Sequence, residues 1–282
     1  MKKSINAWTI DASKDFKELF AILNEAGFDA VELNVDAVGR GNHALSMETT
    51  EEKLKEIRDL ADKAGITVSG ISSSMAAAKL GEPTEEARQY SAALIRKQLL
   101  CARILGADGI LVVPGCDLDV YPLDVVFENV LKVFEDVKED IAQSGINVGL
   151  ENVWNGYFTS PYDMTRLIDA IGQKNVGAYF DAGNVIAFSN PVRWIEVLGN
   201  RIKKIHVKGY RRTPGGFKFN NGGNWCDLPK ASCDWKQVIT ALEEAGYDGY
   251  ITAEVGPEHP YEDIMDFYKE VSRDMDNILM KK

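Results

Sequence analysis

The chain contains few histidines and few cysteines for its 282 residues, and it lacks a long apolar run. Its four cysteines form no C-x-x-C pair, so the pattern indicates reduced thiols in a cytoplasmic protein rather than a zinc ribbon or a disulfide framework. No segment approaches the ~18 apolar residues of a membrane span, and the first residues lack the apolar core of a signal peptide. We therefore expect a cytoplasmic protein with no membrane partner.

Positive charge is also scarce. Lysine and arginine total 32 against 43 aspartates and glutamates, which gives a net charge of −11. A protein that binds the phosphate backbone needs a basic face, so no nucleic acid partner is expected. Hydrophobic residues make up 45% of the chain and charged residues 27%, a composition typical of a globular protein with a large core.

One pattern recurs along the chain: a helical stretch, a glycine, and then a short run of β-branched or aromatic residues. The glycines at positions 27, 65, 106 and 145 mark it, with separations of 38, 41 and 39 residues. This spacing favours βα units over hairpins, since glycine commonly follows a helix C-terminus and the run after it indicates a buried strand. Strands are predicted near 4–7, 28–34, 66–72, 110–114, 146–151, 176–181, 202–207 and 250–255, with helical patterns over 15–26, 50–64, 84–105 and 124–143.

Eight such units predict a (β/α)8 TIM barrel that forms a single domain over residues 1–282. The main alternative is an open doubly wound sheet, but no G-x-G-x-x-G motif follows the first strand. Residues 209–235 are too long for an ordinary connection, and such segments are usually functional or disordered.

Polar residues stand at the ends of the last four predicted strands. Glu151 ends the fifth strand, Asp181 ends the sixth, His206 lies in the seventh and Glu254 in the eighth. Because side chains alternate along a strand, their apolar neighbours should face the helices while these four face the barrel mouth, where the active sites of such barrels lie.

Adjacent strands lie ~4.8 Å apart, so the four side chains are expected to converge. Three carboxylates in a sheltered mouth would repel one another unless a cation lay among them. Three oxygen donors and one nitrogen donor suit a divalent ion, and the sequence does not choose among Mn, Mg, Co and Zn. Each residue taken singly is better explained as a polar group paired with lysine or arginine, but the four together favour one metal site.

Four segments carry these residues: GLENVWNG, YFDAGN, IKKIHVKG and GYDGYITAEV. They resemble the sugar phosphate isomerase/epimerase family of xylose isomerase-like barrels, and the resemblance covers essentially the whole chain. It implies that Glu151, Asp181, His206 and Glu254 bind one divalent metal. It also implies a sugar isomerase or epimerase in which the ion acts as a Lewis acid on a ketose or related hydroxy-ketone and stabilises an enediolate, while Glu151 and Glu254 move protons next to the carbonyl.

Two positions depart from the epimerase pattern. Where those enzymes usually have Asp-x-x-His on the sixth strand, this chain has Asp181 followed by Asn184, and Tyr157 stands where they often place a second glutamate. An asparagine can donate a hydrogen bond to a substrate but cannot carry a proton charge. An inosose-type dehydratase on the same metal site, and a non-catalytic sugar-binding barrel, therefore stay open as alternatives.

Further substrate-binding candidates are expected at the same mouth. Lys208 shares the strand face of His206, although a solvated lysine fits as well. Glu32 points inward from the second strand, where a sugar hydroxyl or a lysine is its expected partner. Arg212 matches the family arginine six residues after the metal histidine, and Trp154 is a candidate wall of a sugar pocket, with simple packing as its alternative. We expect a small-molecule sugar or sugar phosphate as the partner, and the sequence leaves a homo-oligomer open.

Apurinic endonucleases share this barrel but need many histidines for a multi-zinc cluster, and this chain has three. The sequence therefore argues against that class of enzyme.

Overall fold

The computed structural model describes residues 1–214 and 222–279, which contain ten strands. In chain order these are β1 (Lys2–Asn6), β2 (Ala30–Asn34), β3 (Thr67–Ser72), β4 (Gly109–Val112), β5 (Asn147–Glu151), β6 (Val176–Asp181), β7 (Ile202–Val207), β8 (Gly209–Arg212), β9 (Gly223–Cys226) and β10 (Tyr250–Ala253). All except β8 and β9 pair in parallel and close into a barrel in the order β1-β10-β7-β6-β5-β4-β3-β2. The predicted eight-stranded barrel is confirmed.

Helices lie between the strands, as a TIM barrel requires. They are α1 (Phe16–Ala26), α2 (Glu51–Ala64), α3 (Glu85–Leu105), α4 (Leu123–Asp136), α5 (Lys138–Ser144), α6 (Pro161–Ile171), α7 (Ala182–Ile186), α8 (Pro191–Leu198), α9 (Trp235–Glu244) and α10 (Ile264–Ile278). Among the described residues, none of these helices is long and apolar enough to cross a membrane.

Local sequence signals explain where the helices begin and end. The Asp15 side chain caps α1 by accepting from the backbone N–H of Glu18, whose own side chain completes the capping box. The four glycines that mark the repeat follow α1, α2, α3 and α5 with left-handed φ values of 80°, 70°, 79° and 66°, which favour glycine.

One expectation about secondary structure is wrong in detail, and one segment contains elements that the sequence did not predict. The helical pattern over 124–143 divides into α4 and α5 at Val137, which is fully buried and leaves helical geometry with φ −109° and ψ 8°. In the irregular region 209–235, β8 and β9 form an antiparallel hairpin, and a short 3-10 helix, Leu228–Lys230, follows it. Residues 215–221 of that region lie outside the described part.

The alternation along the strands separates an apolar layer from a polar barrel interior. Leu150, Phe180 and Val207 are fully buried in the layer between strands and helices. Inside the barrel, the ammonium of Lys204 donates to the Ser69 carbonyl and forms an ion pair with Asp108 at 2.6 Å. This ion pair lies at the amino end of β4, so paired polar groups close the barrel at the side opposite the carboxyl ends of the strands.

Candidate active site

The four residues predicted from the strand ends do converge. Glu151, Asp181, His206 and Glu254, hereafter the tetrad, each offer one ligand-type atom, and these atoms all lie within 4.8 Å of one another. Glu151 and Asp181 are the last residues of β5 and β6, as predicted. Glu254 is the exception, because β10 ends at Ala253 and Glu254 follows it by one residue. Its side chain keeps 23% of its exposure, whereas the other three are buried.

His206 is bound by carboxylates at both ring nitrogens. Its Nε2 donates to Oε1 of Glu32 at 2.8 Å, and Glu32 is fully buried. Its Nδ1 faces Oε1 of Glu151 at 3.3 Å and Oε2 of Glu254 at 3.1 Å. A carboxylate on one ring nitrogen fixes the orientation of a histidine whose other nitrogen is a metal ligand. The geometry therefore assigns Nδ1 to the tetrad and Nε2 to Glu32.

Glu32 has a different partner from those expected. The sequence suggested a sugar hydroxyl or a lysine, but Oε1 of Glu32 accepts from His206 and from the Asn6 amide at 2.6 Å. Asn6 also donates to Ser72 at 3.2 Å, and Asn34 donates to Ser72 and to Asn6. This polar network joins the carboxyl ends of β1, β2 and β3 beside the tetrad.

Lys208 lies against the tetrad rather than in solvent. Its ammonium forms ion pairs with Oδ2 of Asp181 at 2.9 Å and Oε2 of Glu254 at 3.0 Å, and its side chain is only 15% exposed. The parity that predicted an inward-facing Lys208 is thus reproduced, and within the described part of the chain both of its ion-pair partners are tetrad members. Whether it also binds substrate stays a prediction.

The tetrad environment shifts the pKa values of its carboxyl groups in opposite directions. Burial raises the pKa of Glu151 to about 7, although His206 and Lys208 act against this. Burial also acts to raise the pKa of Glu254, but Lys208 and His206 outweigh it and hold that pKa at about 2. The pKa of His206 would be lowered by burial, yet the carboxylates of Glu32, Glu151 and Glu254 raise it well above its ordinary value.

The charges around the site do not balance without a further cation. When ionised, the tetrad carboxylates and Glu32 bring four negative charges, against one positive charge on Lys208 and one on a protonated His206. Within this group, Glu254 adds only a small upward contribution to the pKa of Glu151, which burial raises for the most part. Oxygen and imidazole donors at this spacing fit a divalent ion, and the tetrad supplies the donor set.

Asp181 is fixed by its neighbours so that one oxygen remains for a cation. Its Oδ1 accepts from the backbone N–H of Asn184 at 2.8 Å and so caps α7, while Oδ2 faces Lys208. The Asn152 side chain binds the backbone of Asp181 at both N–H and C=O, at 2.8 and 2.9 Å. The carboxylate orientation is therefore set by α7 and by β5 together.

Asn184 is itself engaged. Its side-chain amide donates to the Asn152 carbonyl at 2.9 Å, and its own carbonyl accepts from the indole of Trp154 at 2.9 Å. Asn184 is buried. It therefore connects the ends of β5 and β6 in this structure, and its substrate-binding role stays a prediction.

Aromatic side chains form one wall of the mouth. Trp154 stacks on Trp225 with ring centroids 5.0 Å apart, and Tyr210 meets both rings edge-on. A cavity of about 320 Å³ beside them is lined by Trp8, Trp225, Lys208 and Glu254, among others. The predicted Trp154 thus lies at the mouth, with its partner Trp225 contributed by β9.

The Arg212 side chain binds the segment before α9 rather than the tetrad. Its guanidinium donates to the Ser232 carbonyl at 2.8 Å, and its backbone N–H donates to the Ser232 hydroxyl at 3.0 Å. These contacts fasten β8 to the segment before α9. The structure therefore brings Lys208 and Glu32 to the tetrad but not Arg212, whose family role stays a prediction.

Several polar and aromatic neighbours of the tetrad were missed from the sequence. Asn6, Asn34 and Ser72 end or nearly end β1, β2 and β3, so the strand-end argument used for the late strands would have found them. Asn152 follows Glu151 directly and would also have been a candidate. Tyr179, whose ring centroid lies 4.7 Å from that of His206, gave no such signal because it reads as an ordinary buried strand residue.

Comparison with known proteins agrees with this architecture. A family model described as a xylose isomerase-like TIM barrel matches residues 20–271. The uncharacterized protein MJ1311 of Methanocaldococcus jannaschii is 28% identical over 238 residues, which cover 82% of this chain and 75% of that protein.

Solved structures with the same fold include sugar epimerases. The apo 3-keto-D-glucoside 4-epimerase YcjR of E. coli matches with a TM-score of 0.74 at 18% identity over 99% of both chains. A D-psicose 3-epimerase in the presence of D-fructose matches with a TM-score of 0.73 at 17% identity over 99% of this chain and 97% of that one. The IolI protein with a bound zinc atom gives a TM-score of 0.79 at 15% identity over 100% and 99%. At these identities the likeness establishes the fold, and together with the family model it shows that the chain belongs to the xylose isomerase-like TIM barrel family.

Proposed function

We propose that the protein is a divalent-metal-dependent sugar isomerase or epimerase that acts on a ketose or related hydroxy-ketone by removing the proton next to the carbonyl. The observation that carries this proposal is the tetrad, whose ligand-type atoms lie within 4.8 Å of one another at the carboxyl ends of four adjacent strands. The sugar epimerases among the solved structures of the same fold support it.

The tetrad would hold the ion, with Nδ1 of His206 and one oxygen from each carboxylate as ligands. An ion bound there would supply Lewis-acid polarisation of the substrate carbonyl. Glu32 would keep the His206 ring in place through its 2.8 Å contact with Nε2.

Glu151 and Glu254 would move the protons. They reach Nδ1 of His206 from β5 and from just beyond β10, strands separated in the barrel by β6 and β7. A substrate placed between them would present a different face to each carboxylate, which epimerisation requires and aldose–ketose isomerisation does not. Glu254 is the more exposed of the two and lines the cavity at the mouth.

Residues around the tetrad would orient the sugar. Lys208 and Trp154 lie at the mouth, where an ammonium can donate to a sugar oxygen and an indole face can pack on the apolar face of a ring. We assign Arg212 to the same task because it matches the family arginine, and Asn184 because it stands where the epimerases usually have a histidine, although their present hydrogen bonds go to protein groups. The partner we propose is a small sugar or sugar phosphate.

The test is a substrate panel in heavy water with added Mn²⁺, read by NMR. The panel contains ketoses, their phosphates and inososes. We expect one member to acquire deuterium next to its carbonyl and to form an epimer or an aldose. Loss of water from an inosose would instead identify the dehydratase alternative. Absence of any reaction across the panel, together with no stoichiometric metal on the protein, would favour the sugar-binding barrel.

A further inference from the structure

Lys208 stands out among the lysines and arginines of residues 1–214 and 222–279 because it shares its acidic partners with the candidate metal site. Its Nζ lies 2.9 Å from Oδ2 of Asp181 and 3.0 Å from Oε2 of Glu254, both members of the tetrad. The same Oε2 lies 3.1 Å from Nδ1 of His206. The ammonium is therefore packed against oxygens that a divalent ion would use.

A divalent ion and this ammonium would compete for those oxygens. Two positive groups that share two carboxylates at contact distance repel each other strongly, and the repulsion grows in a buried site. Asp181 is fully buried and cannot turn away, since its Oδ1 is held as the cap of α7. The group that is able to move is the lysine side chain.

The backbone of Lys208 is fixed, but its side chain has a route outward. A Cβ on Gly183 would lie 2.3 Å from Cβ of Lys208 and 2.9 Å from its backbone N, so α7 packs tightly against this position. Beyond the backbone, Nζ lies 5.8 Å from the centre of the Trp225 ring, and Lys208 lines the cavity of about 320 Å³ at the mouth. The flexible stem of a lysine allows its ammonium to swing from the carboxylates into that cavity.

We propose that Lys208 is a built-in counter-ion that holds the tetrad carboxylates in the metal-free protein and leaves them when a divalent ion binds. The proposal rests on the metal site of the proposed function and adds to it an exchange between two cations. It predicts that the charge of Lys208 weakens metal binding and that metal binding exposes its ammonium.

The first test measures Mn²⁺ binding to chelator-treated protein by isothermal titration calorimetry, without any substrate. Lys208→Met removes the charge and keeps the length of the side chain, and we expect it to bind Mn²⁺ roughly tenfold tighter or more than the wild type. Lys230→Met is the matched control, because Lys230 also bridges two carboxylates, Asp227 and Glu258, and is itself 49% exposed. We expect its Mn²⁺ affinity to stay within about twofold of the wild type. Lys208→Gln serves as a second variant should the methionine destabilise the fold, which circular dichroism would show.

The second test needs no variant. Reductive methylation followed by peptide mass spectrometry reports how accessible each lysine is. Saturating Mn²⁺ should increase the methylation rate of Lys208 several-fold and leave that of Lys230 unchanged.

The outcomes distinguish failure of the lysine exchange from failure of the metal site on which the exchange depends. Tight Mn²⁺ binding to the wild type with no gain in Lys208→Met, or with Lys208 still protected from methylation, would overturn the exchange and leave the metal site standing. No Mn²⁺ binding to either protein would overturn both. Binding to Lys208→Met alone would show that Lys208 blocks the ion instead of leaving, which would overturn both the exchange and the metal dependence of the wild type.

Discussion

The Glu32 carboxylate illustrates how one buried side chain can orient a residue of the candidate metal site without belonging to the tetrad. It is fully buried and holds Nε2 of His206 at 2.8 Å, while the Asn6 amide holds the same carboxylate oxygen at 2.6 Å. The imidazole ring is thereby turned so that Nδ1 faces Glu151 and Glu254. Glu32 acts through His206 and is a positioning residue.

Glu32→Gln is therefore expected to weaken Mn²⁺ binding by about 10- to 100-fold, because the amide would hold the ring less firmly and would not raise the basicity of its ligand nitrogen. Calorimetry on the metal-free protein measures this. Glu244→Gln, an exposed change of the same kind on α9, is the control. Equal Mn²⁺ affinity in Glu32→Gln and in the wild type would show that Glu32 does not position His206 for metal binding.

At this scale, residue type and strand position predicted the tetrad, because the carboxyl ends of parallel strands meet at one rim. The partners of Glu32 and Lys208 could not be predicted in the same way. Glu32 meets His206, which lies 174 positions away in the sequence, and that pairing depends on distances across the closed barrel. Similarly, the sequence left Lys208 open as a solvated lysine, whereas the convergence of Asp181 and Glu254 draws it in.

Among the secondary-structure elements, the five-residue helix α7 orients two residues of the site, Asp181 and Lys208. Its cap is Asp181, so the residue that ends β6 also begins the helix. Gly183 within α7 lies against Lys208, where a methyl group would be 2.3 Å from Cβ of Lys208. The packing of this helix on the strand end therefore controls both Asp181 and Lys208.

Gly183→Ala is expected to lower the free energy of unfolding by about 1–3 kcal/mol through overpacking. Chemical denaturation followed by circular dichroism measures the change. Gly256→Ala is the control, since among the described residues nothing lies within 4 Å of its added methyl. Wild-type stability in Gly183→Ala would mean that α7 adjusts freely, contrary to this view of the site.

Helix α10 carries a pH-dependent contribution to stability. Burial, with Glu270 and Asp227 nearby, raises the pKa of Asp274 to about 6 from an ordinary value of 3.8. The folded protein thus holds this proton more tightly than the unfolded chain, so stability is lost as the pH rises from about 4 through 6. Asp274→Asn avoids this loss.

We expect Asp274→Asn to melt at the wild-type temperature near pH 4 and above it at pH 7.5. Thermal melts across that range, with the exposed Asp59→Asn as a control for net charge, give the comparison. A variant less stable than the wild type at pH 7.5 would show that the ionised form of Asp274 is favourable.

Helices and strands were predicted well where the sequence pattern repeats. They were predicted less well where tertiary contacts determine the boundary of an element. Strand ends at Glu151 and Asp181 follow from the alternation of apolar residues. The break at Val137 was missed because the amphipathic pattern continues through it. The hairpin of β8 and β9 was missed because its glycine- and asparagine-rich sequence lacks strand alternation.

On the scale of the whole molecule, the repeat of helix, glycine and strand was sufficient to predict the barrel. The net charge of −11 and the excess of carboxylates at the mouth both favour a bound cation over a bound polyanion. What the repeat could not determine is the substrate, which depends on the side chains around the mouth rather than on the fold.

Mn²⁺ is therefore expected to raise the melting temperature in a saturable way, since a ligand that binds only the folded state adds about 2.7 kcal/mol at 100 times its dissociation constant. Scanning calorimetry with Mn²⁺ or with chelator measures this, and Glu254→Gln should lose most of the gain. A wild-type melting temperature that is the same in Mn²⁺ and in chelator would argue for a metal-free barrel.

The central claim is that Glu151 and Glu254 move protons next to a sugar carbonyl, and solvent-deuterium exchange tests it most directly. Ketoses and inososes are incubated in heavy water with Mn²⁺ and the wild type, Glu151→Gln or Glu254→Gln, and deuterium at the carbon next to the carbonyl is followed by NMR. We expect deuterium exchange with the wild type and loss of this exchange in each variant. Exchange at the wild-type rate in both variants would contradict it.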